Sequence, residues 1–133
     1  MKIFLDSSFI IAYVIETDTN NKLAIELEKN NIFDNDCYIS NLIINEVIAV
    51  IGNKTDLELA INTYNVIKDN CIIINEYEIA NFNDNVLNTY KKHNTKLSFT
   101  DSAIIGIMKE NNIKNLVSFD KYFDKVPEIK RIH

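Results

Sequence analysis

Met1-Lys2-Ile3-Phe4-Leu5-Asp6-Ser7-Ser8-Phe9-Ile10-Ile11-Ala12 opens the chain, and its reading decides the fold. Ile3, Phe4 and Leu5 follow one another without polar alternation, the pattern of a strand buried on both faces. The sequence predicts a strand over Lys2–Leu5 and, past one acid, a helix over Ser7–Glu16 with an apolar face from Phe9 to Ile15. A buried strand leading straight into a helix belongs to a parallel sheet with helices packed on it.

Outward from that unit the alternation continues. Leu23, Ala24 and Leu27 at helical spacing predict a helix over Asn20–Lys29, followed by a strand at Tyr38–Ser40 and a nearly all-apolar helix over Leu42–Ile51. Leu57–Lys68 is amphipathic and helical, Ile72–Asn75 a β-branched strand, and Ile79–Lys92 a further helix. Asp101–Glu110 reads as helix, Leu116–Ser118 as a fourth strand, and Ile129–Ile132 as a last strand at an edge. The class is α/β, with a parallel sheet covered on both faces. Ligands of such sheets bind at the carboxyl ends of the strands, where strand order reverses.

The acids gain meaning from that rule. Asp6 and Asp120 each lie just beyond the carboxyl end of a predicted strand, Asp101 opens a helix, and Glu46 comes one turn into the helix after the second strand. Each has an ordinary explanation to set against a shared site: Asp6 as an N-cap, Thr100 or Asp101 as another, Asp120 as a turn residue. Glu46 has none so simple, because Leu42, Ile43, Val47, Ala49 and Val50 surround it at helical spacing. Four ionised carboxylates at one edge would repel. At about 5 Å and an effective dielectric near 20, each pair costs roughly 3 kcal/mol, more than the few tenths to ~1 kcal/mol a helix dipole returns. Convergence therefore implies protons or a cation, and all-oxygen ligands select Mg²⁺ or Mn²⁺ over zinc or copper.

Composition narrows the classes. The 133 residues are expected to form one domain, 1–133, since two glycines and one proline offer no linker. Twenty asparagines are scattered along the chain as candidate caps and turns. No apolar run approaches the ~18 residues of a membrane span, and the early acid in MKIFLDSS does not suit a secretory signal, so the cytoplasm is the expected place. Cys37 and Cys71 read as small buried hydrophobes, and His93 and His133 have no partner at zinc-ligand spacing. A net charge of −5 argues against nucleic-acid binding by bulk electrostatics. Nine of the fourteen basic residues nevertheless lie between Lys91 and Arg131, enough for a basic rim, although a solvated helix face is the commoner use of such lysines.

In their order and separations, Asp6-Ser7-Ser8-Phe9-Ile10, Glu46 in its apolar helix, Thr100-Asp101-Ser102-Ala103 and Ser118-Phe119-Asp120-Lys121-Tyr122-Phe123 resemble the PIN-domain ribonucleases. The resemblance spans nearly the whole chain and is greatest to the toxin subunits of VapBC toxin–antitoxin pairs. It implies a three-layer α/β/α fold with a central parallel sheet and an acidic pocket for Mg²⁺ or Mn²⁺. Carried over by position, Asp6, Glu46, Asp101 and Asp120 would be the metal-holding, catalytic acids, with Asp124 a weaker candidate. Ser7 and Thr100 match polar residues that support the acids. One departure is Asn45 before the glutamate, where the family commonly has serine or threonine.

The implied reaction is hydrolysis of RNA phosphodiester bonds, leaving a 5′ phosphate and a 3′ hydroxyl. Lys91, Lys92, Lys96 and Lys121 are candidates for contacts to the RNA backbone. The implied partners are a small antitoxin protein and a second copy of the chain in a homodimer; apolar surface around Tyr13, Leu23 and Leu27 could serve either, or be core. Two other readings fit the same residues: an inactive PIN-like binding module, and a housekeeping RNA-processing nuclease. Single positions exclude further classes. A haloacid-dehalogenase phosphatase needs an aspartate where Ser8 stands, a receiver domain needs one where Asn75 ends the third strand, and no P-loop is present.

Overall fold

A computed structural model describes all of residues 1–133. Five strands form one sheet: β1 (Lys2–Leu5), β2 (Asp36–Ser40), β3 (Ile72–Ile74), β4 (Asn115–Val117) and β5 (Lys130–Ile132). Their order is β3-β2-β1-β4-β5 and every pairing is parallel. The central strand β1 buries Ile3, Phe4 and Leu5 almost completely, as its unbroken apolar run requires.

Six helices cover the sheet: α1 (Ser7–Val14), α2 (Asn21–Lys29), α3 (Asn41–Lys54), α4 (Leu57–Asn70), α5 (Phe82–Lys92) and α6 (Phe99–Glu110). α1 packs on α2 and α3, α3 packs on α4, and α5 packs on α6. The connections β1→β2→β3 carry the first four helices. The chain then returns past β1 to place β4 on its other side, carrying α5 and α6. Strand order thus reverses between β1 and β4, and the two are tied at that point by the Asp6 N–H donating to the Val117 carbonyl at 3.0 Å. The architecture is the expected α/β/α sandwich.

Several boundaries differ from the sequence expectation. α3 runs to Lys54 rather than stopping at Ile51, because Gly52 and Asn53 do not break a helix that Thr55 closes by donating back to the Ile51 carbonyl. α5 begins at Phe82 rather than Ile79: a 3₁₀ turn at Glu76–Glu78 intervenes, and Asn81 sits in the left-handed region at φ 56°. Four of the five residues with positive φ are asparagines (Asn31, Asn81, Asn94, Asn112), and neither glycine is among them. Asparagine therefore does here what glycine does in most chains. Cys37 is buried as expected, but Cys71 is only half-buried, at the C-cap of α4.

Candidate metal centre

Asp6 stands at the strand-order reversal. It is 4% exposed and caps α1, its Oδ1 accepting from the Ser7 N–H at 2.9 Å. Its Oδ2 accepts from two hydroxyls, Ser118 at 2.6 Å and Ser8 at 2.9 Å. The same two serine oxygens accept in turn from the loop after β4: Ser8 from the Phe119 N–H and Ser118 from the Asp120 N–H, both at 3.0 Å. A hydroxyl has one proton to give, and an ionised carboxylate takes it. Each serine thus ties the Asp6 carboxylate to the backbone that carries Asp120. Ser7, expected as the supporting residue, contributes its N–H and a hydroxyl at 3.5 Å. Ser8 and Ser118 do more, and the expectation missed their role. Spacing from the acids was the available signal, since Ser118 lies two residues before Asp120.

Burial pushes the Asp6 carboxyl up from its ordinary value, against the hydrogen bonds from Ser118, Ser8 and the Ser7 backbone; the charge of Glu46 adds to the rise. Every donor to Asp6 is neutral.

Asp101 is the third residue of α6 rather than its cap. Ser98 caps the helix, accepting from the Asp101 N–H at 3.0 Å, so neither Thr100 nor Asp101 serves that purpose and the helix starts earlier than expected. Asp101 is half-buried and lies beside Ser98 and Thr100 in the cleft lining. Its pKa is pushed up to about 6, chiefly by burial, with the Ser98 hydroxyl opposing and the charges of Asp120 and Asp6 adding. Asp120 caps the 3₁₀ turn Lys121–Lys125 through its Oδ1, which accepts from the Tyr122 N–H at 3.0 Å.

Glu46 corrects the sequence reading. Its surroundings in sequence are apolar, yet the side chain is exposed. α3 buries the stripe Ile43, Val47 and Ile51; Leu42, Glu46, Val50 and Lys54, four residues apart, form the adjacent stripe that faces an open cleft. That cleft, about 680 Å³, is lined by Asp6, Glu46, Asp101 and Asp120 together, with Ser7, Ser8, Ser98 and Thr100 between them.

The remaining candidates lie elsewhere. Asp124 is outside the cleft lining, and its carboxylate forks onto Arg131 at 2.8 Å to both Nε and Nη2. That contact holds its pKa below the ordinary range. Lys91, Lys92, Lys96 and Lys121 are exposed and line none of the cleft; Lys92 borders a separate groove between α5 and α6. The cation that does border the acids is Lys54, which was not among the candidates. Its signal was the eight-residue spacing from Glu46, hidden because α3 was expected to end before it.

The donor set suits a hard divalent ion. Five carboxylates line one cleft, Asp18 joining the four expected acids, the chain's single ion pair is Arg131–Asp124, and like charges add to the burial that raises both Asp6 and Asp101. As the side chains stand, no three of them surround one point. The fit is therefore in charge and donor chemistry rather than in a closed ligand shell, with Glu46 the exposed member.

Residues 3–129 match the PIN domain family. No curated protein sequence matches the chain. Among solved structures, the chain is similar to Mycobacterium tuberculosis VapC20, described as a sarcin–ricin loop cleaving toxin, at 18% identity over 94% of this chain and 95% of that one, TM-score 0.80. VapBC2 of Rickettsia felis, bound to a promoter DNA fragment, is similar at 16% identity over 99% and 98%, TM-score 0.71. DNA-bound VapBC of Salmonella typhimurium follows at 15% over 99% and 97%, TM-score 0.70.

Proposed function

The chain belongs to the PIN domain family, and on that premise we propose that it is a Mg²⁺- or Mn²⁺-dependent endoribonuclease, the toxin of a toxin–antitoxin pair. The observation that carries the reading is the gathering of Asp6, Glu46, Asp101 and Asp120 along one cleft at the carboxyl edge of the sheet. These four would hold the metal. A bound divalent ion supplies a Lewis acid for the scissile phosphate and an acidified water as nucleophile.

The chain's own residues do the rest. Ser8 and Ser118 fix the Asp6 carboxylate and, through Phe119 and Asp120, the loop beside it. Ser7 and Thr100 line the same cleft. Lys54 offers a positive charge to a phosphate entering a cleft otherwise rich in acids, while Lys91, Lys92, Lys96 and Lys121 are left for RNA reaching beyond it. Lys54→Ala should weaken RNA binding several-fold and lower the salt slope of binding by about one unit. Titration at several salt concentrations with an inactive parent checks this; an unchanged slope removes Lys54 from the RNA path.

An antitoxin belongs to the same proposal, as does a homodimer. The similar chains from Rickettsia felis and Salmonella typhimurium are in VapBC complexes. A groove of about 530 Å³ between α1 and α4 is lined mainly by apolar side chains, among them Phe9, Tyr13, Phe33 and Val66, and would accept an apolar antitoxin segment. Of the apolar residues named from sequence, Tyr13 lines it, Leu27 packs on the core and Leu23 is exposed. Exposed Ile61, Tyr64, Ile72 and Ile73 on α4 and edge strand β3 are surface for a second copy. No helix is long and apolar enough to cross a membrane, and the proposed place of action is the cytoplasm.

The deciding experiment is cleavage of a structured RNA by the purified chain. Cutting that needs Mn²⁺ or Mg²⁺, stops with chelator and leaves 5′ phosphates supports the reading. RNA binding without cutting under any divalent ion favours the inactive module instead.

A further inference from the structure

We propose that Arg131, on the last strand, is a positioning residue for the acidic cleft, held in place by Asp124. The proposal rests on the metal-site reading above and assigns Asp124 to this clamp rather than to the metal.

The geometry is specific. The Arg131 side chain is only 5% exposed although it belongs to edge strand β5. Its Nε and Nη2 each donate to one oxygen of Asp124 at 2.8 Å, and its Nη1 donates to the Ser118 carbonyl at 3.1 Å. The guanidinium is planar, so fixing two nitrogens on a carboxylate fixes where the third points. Asp124 ends up 54% exposed, where an ion pair adds little to stability. What the fork contributes is direction.

Ser118 is the residue so held, and its hydroxyl contacts are those of the site: it donates to Asp6 Oδ2, accepts from the Asp120 N–H and lies 3.3 Å from the Ser8 hydroxyl. Arg131, which is not itself part of the cleft lining, therefore braces the residue that joins Asp6 to Asp120. β5 adds a second brace through the Ser118 N–H, which donates to the Ile132 carbonyl at 3.1 Å. That bond is backbone and survives any change at Arg131, so the two contributions can be separated. Partners that orient metal-holding groups typically matter by about 10- to 100-fold in metal affinity.

Arg131→Ala, Arg131→Lys and Asp124→Ala test the clamp, with Mn²⁺ alone as the ligand and amide exchange as a metal-free readout. In Arg131→Ala the Phe119 and Asp120 amides should exchange about tenfold faster, and Mn²⁺ should bind about tenfold more weakly. The β4–β5 amides, including those of Ser118 and Lys130, should keep their protection. Arg131→Lys keeps the charge but cannot span both partners, and should lose nearly as much as alanine. Asp124→Ala frees the guanidinium to swing and should show a smaller loss of the same kind.

Three results overturn the proposal: unchanged Phe119 and Asp120 exchange, full rescue by lysine, or loosening of the whole β4–β5 ladder in step with the melting temperature. If the parent chain binds no Mn²⁺, the nuclease reading fails by itself, and the clamp is still decided by the amide exchange.

Discussion

Asp101→Asn should lower metal-dependent RNA cleavage by at least about three orders of magnitude, a barrier increase of about 4 kcal/mol, and yet make the metal-free protein more stable at neutral pH. The two effects have one cause. Asp101 is half-buried, its backbone N–H is already used by the Ser98 cap, and its carboxyl titrates near 6 against an ordinary 3.8. Between those pH values the folded chain keeps a proton that the unfolded chain has released. Stability in chelator should therefore fall as pH rises from about 4 to about 6 and stay lowered above that.

Two pKa units correspond to about 3 kcal/mol, but the group is partly open to water, and screening reduces the expected cost to about 1–2 kcal/mol. Asparagine removes that cost while keeping the side chain's shape. At pH 7 in chelator the variant should melt a few degrees higher than the parent, and the difference should vanish near pH 4. Added Mn²⁺ should reverse the order by stabilising the parent alone. Melting curves at the two pH values, with and without Mn²⁺, read all of this. A variant that cleaves within tenfold of the parent, or melts lower at pH 7 without metal, would sink the assignment of Asp101 to an electrostatically strained metal site.

Much of this was legible in the chain, and the reasons for success and failure are physical. Ile3-Phe4-Leu5 could only be a strand buried on both faces, and a parallel sheet carries its site at the strand ends, so the meeting of Asp6 and Asp120 at one cleft could be expected from position alone. Glu46 reaches that cleft for a reason other than the expected one. The sequence shows which residues flank it but not which stripe of α3 is covered, and the carboxylate proved to face the open cleft. Asp124 and the lysines after Lys91 show the converse limit. Charge is visible in a sequence, but partners are not: Asp124 answers to Arg131, and the cation that lines the acidic cleft is Lys54, outside the basic cluster. The serine bridges were only half visible: Ser8 and Ser118 each lie two residues from an acid, but the contacts that close the bridges join residues more than a hundred positions apart.

Glu76 is the strongest case of a residue hidden in this way, and its replacement should cost the most stability of any polar substitution proposed for this chain. In sequence it is one of two glutamates in Glu76-Tyr77-Glu78, an ordinary solvated pair. In the fold it is fully buried. Its Oε1 accepts from the Asn41 N–H at 3.1 Å and its Oε2 from the Leu42 N–H at 3.0 Å. These are the first two amides of α3, so a carboxylate from beyond β3 caps a helix that begins after β2. Ser40, the residue at the local cap position, makes no capping bond, and its buried hydroxyl has no partner.

A negative charge at a helix N-terminus is favoured by the dipole, and hydrogen bonds to a charged group contribute about 1.5–3 kcal/mol each. Glu76→Ala should therefore lose about 3 kcal/mol in denaturant unfolding, part of the gross bonding being offset by relief of the buried charge. Glu76→Gln separates shape from charge: its carbonyl oxygen can serve one amide, but its NH₂ must face the other donor to donor. It should recover no more than about half of the alanine loss. α3 also carries Glu46, little more than one turn beyond the cap, so both variants should cleave RNA less well at temperatures where they remain folded. A glutamine variant as stable as the parent would mean that packing, rather than the carboxylate, holds the start of α3, and the loss of activity would then have no route from Glu76 to the cleft.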